Sequence, residues 1–142
     1  MKLQTEPITV VLVALYRYQN FPIRIMHSLL EKIDGVKPYT VFFQNFYTNA
    51  LKLPTANEED LFKKKIIELN PKIVGFSVYS PFALITKRLT KIIKDNSSAL
   101  VLWGGIHPTL SPETCLKQAD VVCVGEGEGA LVDLVTSIRD QA

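Results

Sequence analysis

Five short runs rich in β-branched and aromatic residues, alternating with stretches of helical spacing, constrain this chain more than any other feature. The runs are Ile8–Leu15, Tyr39–Phe46, Ile73–Val78, Ala99–Trp103 and Val121–Val124. They are too uniformly apolar for strands with one wet face, so they are expected to be buried on both. Between them, Met26, Leu29, Leu30 and Ile33 share one helical face, and so do Phe62, Ile66 and Leu69. Phe82, Ile85, Leu89 and Ile92 form a third such face, and Leu131, Leu134, Val135 and Ile138 a fourth. Only a short helix fits between Trp103 and Asp120. Strands alternating with crossover helices predict an α/β fold: a doubly wound, five-stranded parallel sheet, flavodoxin-like or Rossmann-like. A length of 142 residues, 47% of them hydrophobic, suits one domain over residues 1–142 and a strand order of 2-1-3-4-5.

Helix boundaries carry their own signals. Asn57 with Asp60 resembles a capping pair. Ser80-Pro81 and Ser111-Pro112 each place a hydroxyl ahead of a proline at a helix start. Asp34-Gly35, Asn70-Pro71 and Asp95-Asn96 mark helix ends.

Several function classes fall away on composition. Sixteen basic against fourteen acidic side chains give a net charge of +2, no reason to expect a nucleic-acid partner. No apolar run approaches the roughly 18–20 residues of a membrane span, and Met1–Pro7 carries no secretory pattern. Cys115 and Cys123 are the only cysteines, neither a disulfide framework nor a zinc site, so a reducing, cytoplasmic setting is expected.

In such a sheet a ligand sits beyond the carboxyl ends of the strands. That rule selects the loops Tyr16–Pro22, Tyr79–Pro81, Gly104–Leu110 and Gly125–Glu128, together with Ser77 at the end of the third run. Gly104-Gly105 is either a tight turn or a slot for an extended ligand, and Ile106-His107-Pro108-Thr109 follows with hydrogen-bonding groups. Gly125-Glu126-Gly127-Glu128 lacks the lysine and hydroxyl of a phosphate loop. It is either ligand-contacting or a flexible turn whose Glu128 complements the last helix. His27 reads as a packing residue within the first helix, and Lys63-Lys64-Lys65 as a solvated face. No nucleophile–base pair, paired carboxylates or metal-ligand cluster emerges, so the chain reads as a binding domain with no catalytic residue and no metal site of its own.

The stretch Gly104-Gly105-Ile106-His107-Pro108-Thr109-Leu110-Ser111-Pro112-Glu113, then Ala119-Asp120-Val121-Val122, then Gly125-Glu126-Gly127-Glu128, resembles the N-terminal cobalamin-binding domain of cobalamin-dependent radical S-adenosylmethionine proteins. Val74-Gly75-Phe76-Ser77-Val78 is similar to that family's third strand. The resemblance implies a cobalamin (corrinoid) whose nucleotide tail passes Gly104 and Gly105, with Ser77 near the benzimidazole end. It puts the Tyr16–Pro22 loop and Tyr79-Ser80-Pro81 beneath the corrin. His107, Thr109, Gly125 and Glu126 complete the implied cofactor-binding set. The loop after the first strand reads Tyr16-Arg17-Tyr18-Gln19-Asn20-Phe21-Pro22, without the Asp-x-His-x-x-Gly of mutases, so it supplies no lower imidazole ligand to cobalt. The three-cysteine motif for a four-iron cluster is absent as well. The resemblance thus implies a domain excised from a longer protein, with cluster, S-adenosylmethionine and a reaction such as methyl transfer belonging to a downstream barrel. Two other readings stand beside it: a docking or structural domain without cofactor, and a flavodoxin-like binder of flavin or nucleotide.

Overall fold

The computed structural model describes residues 5–16, 20–43 and 53–142. Its centre is β1 (Ile8–Leu15), where Val10, Val11 and Val13 are wholly inaccessible. Flanking it in parallel are β2 (Val36–Phe43) and β3 (Ile73–Ser77), and β3 is followed outward by β4 (Leu100–Gly104) and β5 (Val121–Val122). The order is therefore β2-β1-β3-β4-β5, the doubly wound arrangement expected from the alternation of elements.

Helices cover both faces, as parallel crossovers require. Side chains alternate along each strand, so even-numbered residues of β1 face α1 (Phe21–Glu31) and α6 (Glu128–Gln141). Odd-numbered residues face α2 (Ala56–Leu69), α3 (Ala83–Asn96) and α5 (Pro112–Cys115). A further short helix, α4 (Ile106–Leu110), follows β4 directly, so the interval predicted to hold one short helix holds two. His27 behaves as a packing residue: its Nδ1 is 2.8 Å from Thr40 Oγ1, joining α1 to β2.

Four expectations need correction. First, β2 starts at Val36 rather than Tyr39, because pairing with β1 begins at Ile8↔Val36; residues 44–46 lie outside the described part. β2 and β5 are also not buried on both faces. They are the two edges of the sheet and stay partly exposed, which is why Pro38, with no N–H to donate, is tolerated in β2. Second, the other strand ends shift: β3 stops at Ser77, β4 runs one residue later than expected, and β5 is only two residues long. The side chain of Asp120 substitutes for missing strand there, its Oδ2 accepting from Val101 N at 2.8 Å. Third, the cap of α2 is Thr55 with Glu58, a reciprocal capping box, and not Asn57 with Asp60, which already lie inside the helix. Fourth, neither Ser80 nor Ser111 makes a side-chain cap bond. Residues Ser80–Phe82 form a 3₁₀ turn ahead of α3, and Ser111 joins α5 only through its backbone carbonyl, which accepts from Cys115 N.

One buried polar pair fixes how α3 meets the sheet. The Trp103 indole Nε1 donates to Thr90 Oγ1 at 3.0 Å, both residues being almost inaccessible. Replacing Thr90 by Val keeps the shape and strands the indole donor, so Thr90→Val is expected to cost about 1–3 kcal/mol in urea unfolding, and Thr90→Ser less.

Candidate functional site

The winding of the sheet reverses between β1 and β3, and a cavity of about 240 Å³ opens there between the sheet and helices α1 and α6. Its floor is a row of register neighbours, Leu12, Gly75 and Leu102. The next pair on the same face, towards the strand ends, is Ser77 and Gly104. Gly75 is covered by Leu12 Cδ2, 3.1 Å from where its Cβ would stand, whereas Ser77 carries a single hydroxymethyl group and Gly104 no side chain, so the sheet surface dips towards the strand ends. Ile23 and Met26 of α1 form one wall, and Leu131 of α6 the other. The acidic side chains at the mouth, Glu126 and Glu128, belong to exposed residues.

The adjacent glycines have different reasons to be glycine. Gly105 has φ +104°, and a Cβ there would lie 3.0 Å from Val78 N and 3.1 Å from Val78 O. This backbone packing excludes a side chain whatever the ligand. At Gly104 a Cβ would meet only Cys123 Cβ, at an ordinary 3.6 Å. The fold has room for a side chain at 104, and the space it would take belongs to the cavity.

Of the residues singled out in the sequence, Ser77, Tyr79, Gly104, Gly105, Gly125 and Glu126 line the cavity. Ser80, His107 and Thr109 do not, and the structure gives them other partners. His107 Nδ1 is 3.0 Å from Ser80 Oγ, an exposed contact joining the turn after β3 to α4. This is a serine–imidazole pair, which the sequence had not disclosed. No carboxylate among the described residues orients His107, so the pair lacks the third member of a hydrolytic triad. Thr109 Oγ1 donates to Gly105 O at 2.8 Å and accepts from Gly125 N at 3.0 Å. Its hydroxyl therefore staples together the two glycine turns that border the cavity.

The loop after β1 contributes less than expected. Pro22 lines the cavity, but Tyr16 turns to the opposite face, packing on Phe43 and Phe82 with its hydroxyl donating to Glu58 Oε2 at 2.8 Å. Burial, reinforced by Glu58, holds the Tyr16 phenol well above its usual range, so it stays neutral. Residues 17–19 of this loop lie outside the described part.

Sequence reasoning missed the apolar walls and Cys123. The walls look like ordinary core; the one available signal was Gly75, a glycine inside a strand. Cys123 faces the cavity with Sγ 3.9 Å from Glu126 O. Burial, with a smaller contribution from Glu128, raises its pKa, which disfavours the thiolate at neutral pH.

Two substitutions separate these roles. Gly105→Ala is expected to destabilise the fold by about 1–3 kcal/mol from backbone strain, whereas Gly104→Ala should stay within about 0.5 kcal/mol of the parent in urea unfolding. Thr109→Val should speed hydrogen exchange at the Gly125 amide, and Thr109→Ser should restore protection; unchanged exchange in the valine variant would contradict the staple.

The family model for the B12 binding domain matches residues 8–135. Two curated relatives are anaerobic magnesium-protoporphyrin IX monomethyl ester cyclases. The one from Rubrivivax gelatinosus is 34% identical over 102 residues, 69% of this chain and 17% of that protein. The one from Cereibacter sphaeroides is 36% identical over 76 residues, 51% of this chain and 12% of that protein. Among solved structures, the radical S-adenosylmethionine methyltransferase TsrM from Kitasatospora setae, with cobalamin and a 4Fe–4S cluster bound, superposes with a TM-score of 0.74 at 16% identity. That superposition covers 96% of this chain and 25% of TsrM. The chain thus spans about a sixth or less of the curated relatives it matches and a quarter of the structural one. With the cavity at the reversal of a β2-β1-β3-β4-β5 sheet and the family match running through every strand, the chain belongs to the B12 binding domain family.

Proposed function

We propose that this domain binds cobalamin, with the nucleotide tail in the cavity between the sheet and helices α1 and α6 and the corrin over the rim of the sheet. The observation that carries this reading is the dip made by Ser77 and Gly104, above all the space at Gly104 that the fold itself does not use. The residues present fit such a group. The trough is free of side chains where a chain-like tail must pass, its walls are apolar, and no charged side chain lies inside to be stripped of water. Ser77 offers a hydroxyl with no hydrogen-bond partner among the described residues. The cofactor would supply a cobalt centre able to carry an alkyl group. What the protein contributes is a preformed slot, a rim ordered by Thr109 and by the Ser80–His107 contact, and exclusion of water from the tail.

No protein imidazole is assigned below the cobalt. The loop after β1 contains no histidine, and His107 does not line the cavity. For the parent protein we propose a cytoplasmic radical S-adenosylmethionine enzyme whose barrel, with its cluster, follows this domain. Methyl transfer is the reaction named for the structural relative; a cyclase-type reaction is the second reading, favoured by the higher identity of the two cyclases. No described helix is long and apolar enough to cross a membrane.

The test is gel filtration after mixing with hydroxocobalamin, with flavin mononucleotide as the competing candidate. Corrin absorbance should co-elute, and Gly104→Val should weaken uptake by at least about tenfold without changing the circular dichroism. Uptake of flavin instead, or of neither ligand, would overturn the assignment. The reduced Co(II) form should show no nitrogen splitting from a protein ligand in its electron resonance spectrum, and His107→Ala should leave that spectrum unchanged.

A further inference from the structure

We infer that a basic groove on the face of the sheet away from the cavity is a docking site for an acidic segment of a partner protein, one whose carboxylates recur at each helical turn beside a large apolar side chain. The groove, of about 380 Å³, lies between α3 and the turn after α5. Leu84, Lys87, Arg88, Lys91 and Lys94 line it from α3, and Lys117 from the turn. On α3 these positions recur every three or four residues, so they form one stripe along the helix, with successive Cβ atoms roughly 5–6 Å apart. The stripe behind it, Ile85, Leu89 and Ile93, is buried in the core. No residue is shared with the cavity, which lies on the α1/α6 side of the sheet, so the inference is independent of what the cavity binds.

The cations differ in how firmly they are held. Arg88 is tied to Glu59 of α2 at 2.6 Å, and Lys94 to Asp120 at 3.0 Å, whose other oxygen accepts from Val101 N. Lys91 meets Asp95 one turn on at 2.8 Å, but both side chains are largely exposed, and such a pair exchanges readily for another carboxylate. Lys87 and Lys117 are exposed and make no ion pair among the described residues. Five cations and three carboxylates leave the groove at +2, which is the whole formal excess of the chain. Charge is thus concentrated here, and opposite charge is what such a surface attracts. Lys87 and Lys91, four residues apart, match carboxylates one turn apart on a second helix. Leu84, 60% exposed at the start of the stripe, offers that helix an apolar contact. A nucleic acid fits less well. Glu59, Asp95 and Asp120 would stand among its phosphates, and none of the groove's described lining residues is aromatic, so nothing there stacks on a base. A second copy of the chain also fits less well, because its acidic run Glu58-Glu59-Asp60 is already engaged by Tyr16, Arg88 and Lys64.

The experiment titrates the 142-residue chain into a fluorescent alanine-based helical peptide that carries turn-spaced glutamates and one leucine, and follows anisotropy. The peptide should bind at least about tenfold more tightly than a scrambled peptide of the same composition, and added salt should weaken it several-fold. Amide shifts in the labelled protein should be confined to α3 and the turn holding Lys117. Lys87→Glu combined with Lys117→Glu, both at exposed positions, should keep the circular dichroism and weaken binding at least about tenfold. Lys63→Glu combined with Lys64→Glu on α2 makes the same change in net charge and should leave binding within about twofold. Equal loss in the two double variants would mean that net charge and not the groove attracts the peptide, and would overturn the inference. So would absence of peptide binding, or shifts elsewhere on the surface. Binding of an oligodeoxythymidine as tight as that of the peptide and through the same residues would reassign the groove to nucleic acid. Self-association of the chain in sedimentation that is lost in Lys87→Glu/Lys117→Glu would reassign it to a second copy. Either result overturns the proposal.

Discussion

The two faces of the central sheet are packed to different rules, and the candidate site follows from that asymmetry. On the α2/α3 face the inward positions of β1, β3 and β4 are filled by Val11, Val13, Val74, Phe76, Val101 and Trp103. The face is closed by the Trp103–Thr90 hydrogen bond inside the core. On the α1/α6 face the corresponding positions decline from Ile73 through Gly75 to Ser77 along β3, and from Leu102 to Gly104 along β4. Side-chain volume runs out towards the carboxyl ends of the two strands, while α1 and α6 stay propped on Leu12, Leu30 and Leu131. A well-packed interior ordinarily closes such a gap, because empty space forfeits dispersion contacts. Here the filled opposite face and the hydrogen-bonded sheet keep it open.

Much of this was legible in the amino-acid sequence, and for a physical reason. The strands are short and nearly all apolar because they are covered twice, and that pattern separates a parallel sheet from an amphipathic one without reference to any partner. Edges were the failure. Val36–Phe43 carries Lys37 and Pro38, which suit an edge strand, but both precede the run Tyr39–Phe46 that its apolar residues pick out, so the signal fell outside the expected strand. Cap positions failed for a related reason. Thr55 and Asn57 are both credible caps, and the choice depends on where the chain leaves the sheet. The site was half visible. Glycines and polar residues in the loops stand out from their surroundings, so Ser77, Gly104 and Gly125 could be named in advance. The walls could not, since Ile23, Met26, Leu102 and Leu131 look the same in a sequence whether they meet another side chain or an empty volume.

The segment after β4 shows how one motif divides its labour. Ile106-His107-Pro108-Thr109 reads as a binding loop because it carries hydrogen-bonding groups at the ligand end of the sheet. In three dimensions these groups are directed at the protein. The backbone N–H of His107 donates to Val78 O at 3.1 Å, its ring meets Ser80, and Thr109 spans Gly105 and Gly125. Each contact ties the end of one strand to the loop of another. In a sheet whose ligand end consists of separate loops, such ties set the width of the opening, and a hydroxyl that bridges two backbone groups does this with little side-chain entropy to lose.

The pair Gly104-Gly105 makes the same division within two residues. Gly104 is the last residue of β4 and Gly105 the residue that leads into α4, so the two meet different neighbours and no single requirement explains both glycines. Gly105 answers to the fold: its φ of +104° and its approach to the Val78 backbone would be needed with the cavity empty. Gly104 answers to nothing in the protein, since its nearest neighbour, Cys123, leaves space for a methyl group. Gly104 is thus a position that the chain leaves vacant at no benefit to its own packing, facing the cavity of a B12 binding domain, and it is the position the proposed passage of the nucleotide tail would use. On the cobalamin reading proposed above, the double glycine is one structural residue and one functional residue side by side, and only the second should respond to what the domain binds.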